Sequence, residues 1–315
     1  MAGVDVLRPV RPARPAAPAR GREWLRLFAR DYLWGYLFVL PAVAAFAIFW
    51  LYPLAWAFVL GFQKFDIWQS RWVGLRNYQY VLQDPIYRKA FVNTVVYTLA
   101  TVPTGIVISL LLALGIYRLS SSAMQNFYKA AFYLPTQIGG IILALVWVWI
   151  FNPRWGLITW LAGTLGLPVR FWLNDPATAM PSLIAINLVS GHGAGVILYL
   201  AALGGIPRSL YEAADIDAAS RWSKFRNVTW PLLKPTTLYV LILGIIGSFQ
   251  VFGLIYVMTQ GGPNFATITL YYYTYTTFFQ QAQFGLAAAQ AFVLSAIIIV
   301  LSVIQYRIFS TDVEY

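Results

Sequence analysis

The segment Phe284–Tyr306, FGLAAAQAFVLSAIIIVLSVIQY, contains no aspartate, glutamate, lysine or arginine. A helix needs about 20 mainly apolar residues to cross the roughly 30 Å hydrocarbon core of a bilayer. The segment has that length, and it lacks the strict alternation of polar and apolar residues that marks a barrel strand. It therefore predicts a membrane-spanning helix.

Five further uncharged runs of similar length precede this segment. They are Tyr32–Gly61, Phe91–Tyr117, Ala130–Phe151, Thr178–Ala202 and Thr236–Met258. In the whole chain 60% of residues are hydrophobic and only 10% are charged, a composition far from that of a soluble domain. Helices are the default way to satisfy backbone polar groups in lipid. The sequence thus predicts an all-α, polytopic membrane protein with six transmembrane helices.

The distribution of basic residues predicts the orientation of these helices. An even number of spans puts both termini on one side, together with the loops Arg118–Lys129 and Ile206–Pro235, and this side carries 15 of the 22 lysines and arginines. Lysine and arginine are enriched on the cytoplasmic side of membrane proteins. We therefore expect both termini in the cytoplasm.

Two domains are expected. Met1–Arg30 is a basic tail rich in proline and alanine, predicted to lack fixed structure, and Asp31–Tyr315 forms the six-helix domain. Although the net charge of +11 could suggest nucleic acid, seven basic residues lie in this tail directly before a membrane span. The charge therefore indicates topology and membrane lipid headgroups rather than nucleic acid.

Two of the loops predicted to lie outside carry further signals. The loop from Asn152 is rich in tryptophan and leucine, which favours a short interfacial helix, and Gly261, Gly262 and Pro263 predict a turn. The tyrosine-rich run after this turn is interpreted as an aromatic interface belt rather than a ligand platform.

One compact charged segment interrupts the apolar pattern: Tyr211–Pro235, YEAADIDAASRWSKFRNVTWPLLKP. The spacing of Ser209 and Glu212 fits a capping box, which predicts a helix beginning at Ser209. On continuous helical spacing one face would then collect five small or aromatic side chains, suited to pressing against a neighbouring surface. These side chains are Tyr211, Ala214, Ala218, Trp222 and Phe225.

This segment resembles the EAA loop of the membrane subunits of binding-protein-dependent ABC importers, usually written E-A-A-x3-G-x9-I-x-L-P. Glu212, Ala213, Ala214 and Pro231 match the motif. Three positions depart from it: Ala218 stands for the usual glycine, Val228 for isoleucine and Trp230 for leucine. An alanine at a glycine bend either continues the helix or costs of order 1 kcal/mol at a positive φ.

The resemblance extends over nearly the whole chain from Tyr36 and is closest to carbohydrate importers of the maltose and glycerol-3-phosphate type. It implies the type I permease fold and a noncatalytic subunit that forms half of a sugar pathway. It also implies a location in the plasma (inner) membrane of a prokaryotic cell. The implied partners are a second, homologous permease subunit, two ATP-binding subunits and an extracytoplasmic solute-binding protein. The resemblance also implies that residues of the loop contact an ATPase subunit, namely Glu212, Ala213, Ala214, Asp217, Ala218, Trp222 and Pro231.

ATP and Mg²⁺ are expected on the partner ATPase subunits, and no cofactor is expected on this chain. The sequence has no GxxxxGK[ST] phosphate loop, and no glycine is followed by lysine. The chain also has no cysteine and a single histidine, His192, so neither thiolate metal sites nor a histidine dyad is possible. We interpret His192 as structural or pore-lining, with direct substrate contact as the alternative.

In the family that the chain resembles, the sugar contacts lie in the third, fourth and fifth spans. Matching by motif and spacing places them at Thr136, Gly140, Asn187, Ser190, Gly191, Gly244, Ser248 and Val251. Asn187 and the two serines can hydrogen-bond to sugar hydroxyls. They can equally join helices to each other in lipid, and the sequence leaves these two roles open.

Two other functional classes were weighed. A self-contained channel or ion-coupled transporter normally needs ionisable groups within its spans, and the six spans carry no carboxylate. An intramembrane enzyme would need a cluster of reactive side chains, which the spans also lack. Composition cannot identify the sugar.

Overall fold

The computed structural model of the protein describes residues 21–66, 70–166 and 171–309. Fifteen helices and one two-stranded hairpin occur in this part of the chain. They are α1 (Gly21–Phe46), α2 (Tyr52–Leu60), β1 (Gln63–Phe65), β2 (Ser70–Trp72), α3 (Arg76–Gln83), α4 (Pro85–Tyr117), α5 (Ser122–Gln137), α6 (Gly140–Ile150), α7 (Leu157–Thr164), α8 (Pro176–Ser190), α9 (Gly193–Gly205), α10 (Arg208–Ile216), α11 (Arg221–Lys224), α12 (Trp230–Phe249), α13 (Gly253–Met258), α14 (Leu270–Tyr275) and α15 (Phe284–Phe309). Three π-helical turns join neighbouring helices at Ala47–Leu51, Phe225–Thr229 and Thr276–Gln280.

Every predicted span coincides with helix, although three of the six are interrupted, including the fifth, which is interrupted between α12 and α13. Four helical stretches are long and apolar enough to cross a membrane: Gly35–Leu60, Pro85–Tyr117, Arg221–Met258 and Phe284–Ile308. The third predicted span is the pair α5 and α6, bent by 96°, and the fourth is the pair α8 and α9, bent by 40°. The all-α class is confirmed, and the antiparallel hairpin β1–β2 is a small addition to it.

The chain divides into two units, one up to residue 56 and one from residue 57. Residues 1–20 of the predicted tail lie outside the described residues. Helix α1 begins at Gly21, so the last ten residues of that tail are helical rather than without fixed structure. The reason is local, because the final proline of the tail is Pro18 and Glu, Leu, Arg and Ala, all good helix formers, follow Gly21.

In the second unit α4 is the central element and packs against α8, α9 and α12. Two clusters of buried apolar residues hold this arrangement, one around Phe249 and Leu270 and the other around Tyr199 and Leu233. Helix α9 also packs closely on α5, because Gly193 carries no side chain and a Cβ there would overlap the carbonyl oxygen of Phe132. Small residues permit such close backbone approach between membrane helices.

The loop segments around these helices fit two expectations and contradict a third. The predicted interfacial helix is present as α7, and the turn occurs at Gly261, which has a φ of +77°. In contrast, Tyr272 and Tyr273 of the tyrosine-rich run are buried within the protein. Their interpretation as an interface belt is therefore wrong, because the run folds back onto α13 and packs around Phe252.

A buried carboxylate fixes the start of α4. Asp84 is only 6% exposed, and its Oδ1 accepts the backbone N–H of Ile86 at 2.9 Å, which caps the helix. Its Oδ2 accepts the Tyr273 hydroxyl at 2.7 Å. Burial and this hydrogen bond raise the pKa of Tyr273, so the phenol keeps its proton and remains a donor.

We expect Asp84→Ala to lower the free energy of unfolding by about 2–4 kcal/mol, because it removes a helix cap and a charge-assisted hydrogen bond together. Asp84→Asn should lose less, since its amide oxygen can still cap the helix. Thermal unfolding of the purified protein in detergent measures both. Equal melting temperatures for the alanine variant and the parent would contradict this role of Asp84.

Candidate functional site

The charged segment forms two short helices separated by a sharp turn. Helix α10 ends at Ile216, and Ala218 follows with a φ of +52°. The N–H of Ala219 bonds to the carbonyl of Ala214 at 2.9 Å, and the N–H of Ala218 bonds to that of Asp215 at 3.0 Å. This pair of bonds is a Schellman motif, in which the left-handed position usually holds glycine.

The structure decides whether Ala218 continues the helix or adopts a positive φ. The alanine does not continue the helix but adopts the left-handed conformation, at a cost of order 1 kcal/mol. The prediction of one continuous face from Tyr211 to Phe225 is wrong for the same reason, since the chain changes direction after Asp217. A second helix, α11, begins after Ser220, whose hydroxyl accepts the N–H of Ser223 at 3.2 Å.

The capping-box prediction is also wrong. Helix α10 begins at Arg208, its N-cap is Pro207, and no side chain caps it. The N-cap is therefore two residues earlier than the capping box requires, so Ser209 and Glu212 both lie within the helix. Glu212 is exposed and makes no hydrogen bond or ion pair to any described residue.

The exposed side of α10 differs from the one expected. Glu212, Ala213 and Asp217 are exposed, whereas Ala214 is half-buried. Ile216 is 87% exposed, and it was missed because the assumed continuous helix placed it away from the small and aromatic residues.

Helix α11 is joined to α10 by an ion pair between Lys224 and Asp215. Trp222 is 68% exposed and stacks on Phe225 with ring centroids 5.5 Å apart. Together with Arg226 and Trp230 these two rings line a cleft of about 390 Å³. Pro231 lies in the first turn of α12, next to this cleft.

Two cavities lie between the helices beyond this loop. The first, here called the central cavity, has a volume of about 400 Å³ and is lined by α4, the α8–α9 break, α9 and α12. The second, here called the adjoining cavity, has a volume of about 350 Å³ and lies where α5 and α6 meet, against α8 and the start of α13. No lysine, arginine, aspartate or glutamate is among the described residues that line them.

All eight sequence-predicted substrate positions border these cavities. Gly244 and Ser248 line the central cavity, and Asn187, Gly191 and Val251 line both. The adjoining cavity has in addition the three remaining positions, Thr136, Gly140 and Ser190. The structure thus brings together positions that are up to 115 residues apart in sequence, although their contact with a substrate stays a prediction.

The polar side chains at these positions differ in the number of hydrogen bonds that they form within the protein. The Ser248 hydroxyl donates to the carbonyl of Ile245 at 3.0 Å and bonds with the Thr98 hydroxyl at 2.9 Å, which fits a role in joining α12 to α4. In contrast, Asn187 is half-buried, and its amide forms no hydrogen bond of standard geometry with any residue that the structure describes. Its polar neighbour is the Tyr97 side chain of α4, so Asn187 lies both at the cavities and at the contact between α8 and α4.

Thr136 and Ser190 are intermediate cases. The Thr136 hydroxyl donates to the carbonyl of Tyr133 at 2.6 Å and so retains only acceptor capacity. The Ser190 hydroxyl accepts the indole N–H of Trp147 at 3.0 Å and retains its own proton for donation.

His192 lies at the break between α8 and α9. Its Nε2 forms a hydrogen bond with the carbonyl of Leu188, and its own carbonyl accepts the Ser109 hydroxyl at 3.4 Å. The ring also lines the central cavity, so both parts of the structural or pore-lining interpretation fit. Within residues 21–66, 70–166 and 171–309, no group of three or more acidic or histidine side chains could hold a metal ion.

A family model described as the binding-protein-dependent transport system inner membrane component matches residues 105–314, which contain the charged segment Tyr211–Pro235 and most of both cavities. The chain belongs to this family. It is a membrane-spanning permease subunit, the noncatalytic component of such a transport system.

Curated relatives of the permease include the arabinooligosaccharides transport system permease protein AraP of Bacillus subtilis, 34% identical with 92% of this chain and 93% of that protein covered. The sn-glycerol-3-phosphate transport system permease protein UgpA of Yersinia enterocolitica is 34% identical over 89% of this chain and 95% of its own length. Among solved structures, a bacterial ABC transporter involved in the import of the acidic polysaccharide alginate has a TM-score of 0.80, with 25% identity over 91% of this chain and 98% of that chain. This likeness agrees with the predicted type I permease fold.

The left-handed conformation of Ala218 predicts how glycine substitutions change the stability of the turn in this permease. We expect Ala218→Gly to stabilise the turn by about 1 kcal/mol, because glycine adopts a positive φ without steric cost. The matched control Ala213→Gly, within α10, should instead destabilise by about 0.5–1 kcal/mol. Amide hydrogen exchange of residues 214–220 measures both, and slower exchange in the control than in Ala218→Gly would contradict the turn geometry.

Proposed function

We propose that this permease forms half of a translocation pathway for a sugar or sugar derivative, with the two cavities as part of that pathway. The names of its relatives refer to arabinooligosaccharides, sn-glycerol-3-phosphate and alginate, which supports a polyhydroxylated substrate. The uncharged, partly polar lining of the cavities also supports recognition by hydrogen bonds. The eight positions predicted from the sequence are proposed as substrate contacts, with Asn187 foremost among them.

One observation carries this proposal: the charged loop is continuous with two helices that line the central cavity. Helix α9 ends at Gly205, three residues before α10 begins, and α12 follows the π-helical turn after α11. The Tyr211 hydroxyl of α10 bonds with the Thr229 hydroxyl at 2.9 Å, directly before α12. A force applied to α10 would therefore act on both cavity-lining helices.

The proposed partners follow from this arrangement. We propose that the loop at residues 206–235 docks on one of two ATP-binding subunits, which hold ATP and Mg²⁺, and that a second, homologous permease subunit completes the pathway. A solved relative with a TM-score of 0.79 and 26% identity is in complex with a periplasmic protein bound to an alginate pentasaccharide. That complex supports a solute-binding protein as the partner on the outer side.

The proposed topology puts both termini and the loop at residues 206–235 in the cytoplasm and α7 outside, in the plasma (inner) membrane. The division of basic residues, 15 against seven, supports this orientation. The tail at residues 1–30 is accordingly proposed to lie along cytoplasmic lipid headgroups.

Because the chain has no cysteine, single cysteines report this topology. Thr164, at the end of α7, and Ser122, at the start of α5, are both exposed and lie outside the docking loop. An impermeant thiol reagent applied to intact cells should label Thr164→Cys and leave Ser122→Cys unlabelled until the membrane is opened. The reverse pattern would overturn the orientation.

The coupling role is tested at Glu212, which caps nothing in the structure. If its charge pairs with a base on the ATPase subunit, Glu212→Gln and Glu212→Ala should both weaken that association by about 30-fold or more, since breaking one side of a buried charge pair commonly costs about 2–5 kcal/mol. Copurification of the ATPase subunit and substrate-stimulated ATP hydrolysis measure the loss. A Glu212→Gln variant that matches the parent while Glu212→Ala fails would show that the charge is not used.

A further inference from the structure

Tyr97 on α4 was not predicted as a site residue, yet it lines both cavities. The side chain is 1% exposed, and its hydroxyl forms no hydrogen bond within the described part of the chain. The hydroxyl lies beside the Asn187 side chain without reaching the geometry of a hydrogen bond with it. A buried polar group without a partner is rare and costs free energy, so it calls for an explanation.

The position of Tyr97 suggests that explanation. Five residues belong to the linings of both cavities, and Tyr97 and Asn187 are the two among them with polar side chains, the others being Gly191, Ala194 and Val251. These residues therefore form the partition between the cavities. A molecule that moves directly from one cavity to the other passes these residues.

The chemistry of the pair suits a polyhydroxylated molecule. The Tyr97 hydroxyl can donate one hydrogen bond and accept others, and the Asn187 amide offers two donors and an acceptor. The Tyr97 hydroxyl is covered in the structure, so its neighbours must shift slightly before a sugar hydroxyl can bind it together with Asn187. Neither group has to give up a standard hydrogen bond to the protein when this happens. The aromatic ring adds an apolar surface beside these polar groups.

We propose that Tyr97 is a substrate-binding residue which, together with Asn187, forms a polar gate between the two cavities. This inference rests on the proposed function, because it assumes that a sugar passes through the cavities. It adds a residue of the second span to a site predicted only from the third, fourth and fifth spans.

Tyr97→Phe tests this proposal sharply, because the ring is kept and only the unpartnered hydroxyl is lost. A purely structural tyrosine would lose no hydrogen bond, so transport would be unchanged and the melting temperature equal or higher. The proposal instead predicts a KM for uptake raised about threefold to tenfold, the loss expected for one neutral hydrogen bond. Assembly should be unaffected, and the melting temperature should equal or exceed the parental value because a buried hydroxyl without a partner is removed.

Tyr199→Phe is the matched control. Tyr199 is equally buried, but its hydroxyl donates to the Thr237 hydroxyl at 3.1 Å and the residue lines neither cavity. The control should lower the melting temperature and leave the KM unchanged, the opposite pattern to Tyr97→Phe. Asn187→Leu combined with Tyr97→Phe should raise the KM by less than the product of the two single effects if both residues bind the same sugar hydroxyls.

The measurement uses the complete transporter in cells and labelled arabinotriose, maltotriose and sn-glycerol 3-phosphate as uptake probes. Uptake of any of them by the parent, with a raised KM in Tyr97→Phe, supports the gate. Uptake with an unchanged KM in Tyr97→Phe overturns the gate and leaves the proposed function intact. If the parent takes up none of the three, the proposed sugar pathway fails, and the inference that rests on it fails too.

Discussion

The constraint on which this structure depends is that backbone N–H and C=O groups inside a bilayer need partners, so a helix can be interrupted only where protein or a cavity covers the gap. Three interruptions occur in the predicted spans that the structure describes: after Gln137, after Ser190 and after Phe249. Ile138, Gly191 and Val251, one residue at each interruption, all line a cavity. Side chains cover some of the freed groups, as where the Thr269 hydroxyl donates to the Val251 carbonyl at 3.3 Å. The breaks and the candidate pathway are therefore one feature of the fold.

The existence and number of the spans could be predicted from sequence because hydrocarbon thickness sets the length of an uncharged run. The breaks could not be located in the same way. Pro135 lies next to the break after Gln137, but Pro103 and Pro181 lie inside continuous helices. The breaks after Ser190 and Phe249 have no proline at all. Whether a membrane helix stays continuous depends on which neighbours can satisfy its freed carbonyls, and that information is tertiary.

The candidate site, too, could be predicted only in part from the sequence. Spacing from short motifs was sufficient to find eight positions that meet around two cavities, because each motif fixes the register of its helix. The same spacing could not identify Tyr97, because its helix begins far from those motifs. Tyr97 stands out by a missing hydrogen bond, which no sequence pattern reveals. For the loop, the sequence prediction took the helix to be continuous through Ala218. In the structure, the Schellman hydrogen bonds to the carbonyls of Ala214 and Asp215 outweigh the preference of alanine for a negative φ. Residue identity alone does not reveal that competition.

The breaks and contacts also determine which parts of the protein would move if the loop were displaced. Two hydroxyl pairs, Tyr211 with Thr229 and Tyr199 with Thr237, join the loop and α9 to α12 and its preceding turn. Helix α9 begins just after the break that separates it from α8, and α12 ends just before the break that precedes α13. If a partner displaced α10, α9 and α12 would move together, while the residues beyond those breaks could keep their positions. Asn187 lies on the far side of the first break and Val251 lies within the second, and both face the cavities beside Tyr97. Relative movement would therefore concentrate at the partition between the cavities, so the same interruptions that leave room for a substrate would also direct the motion to it.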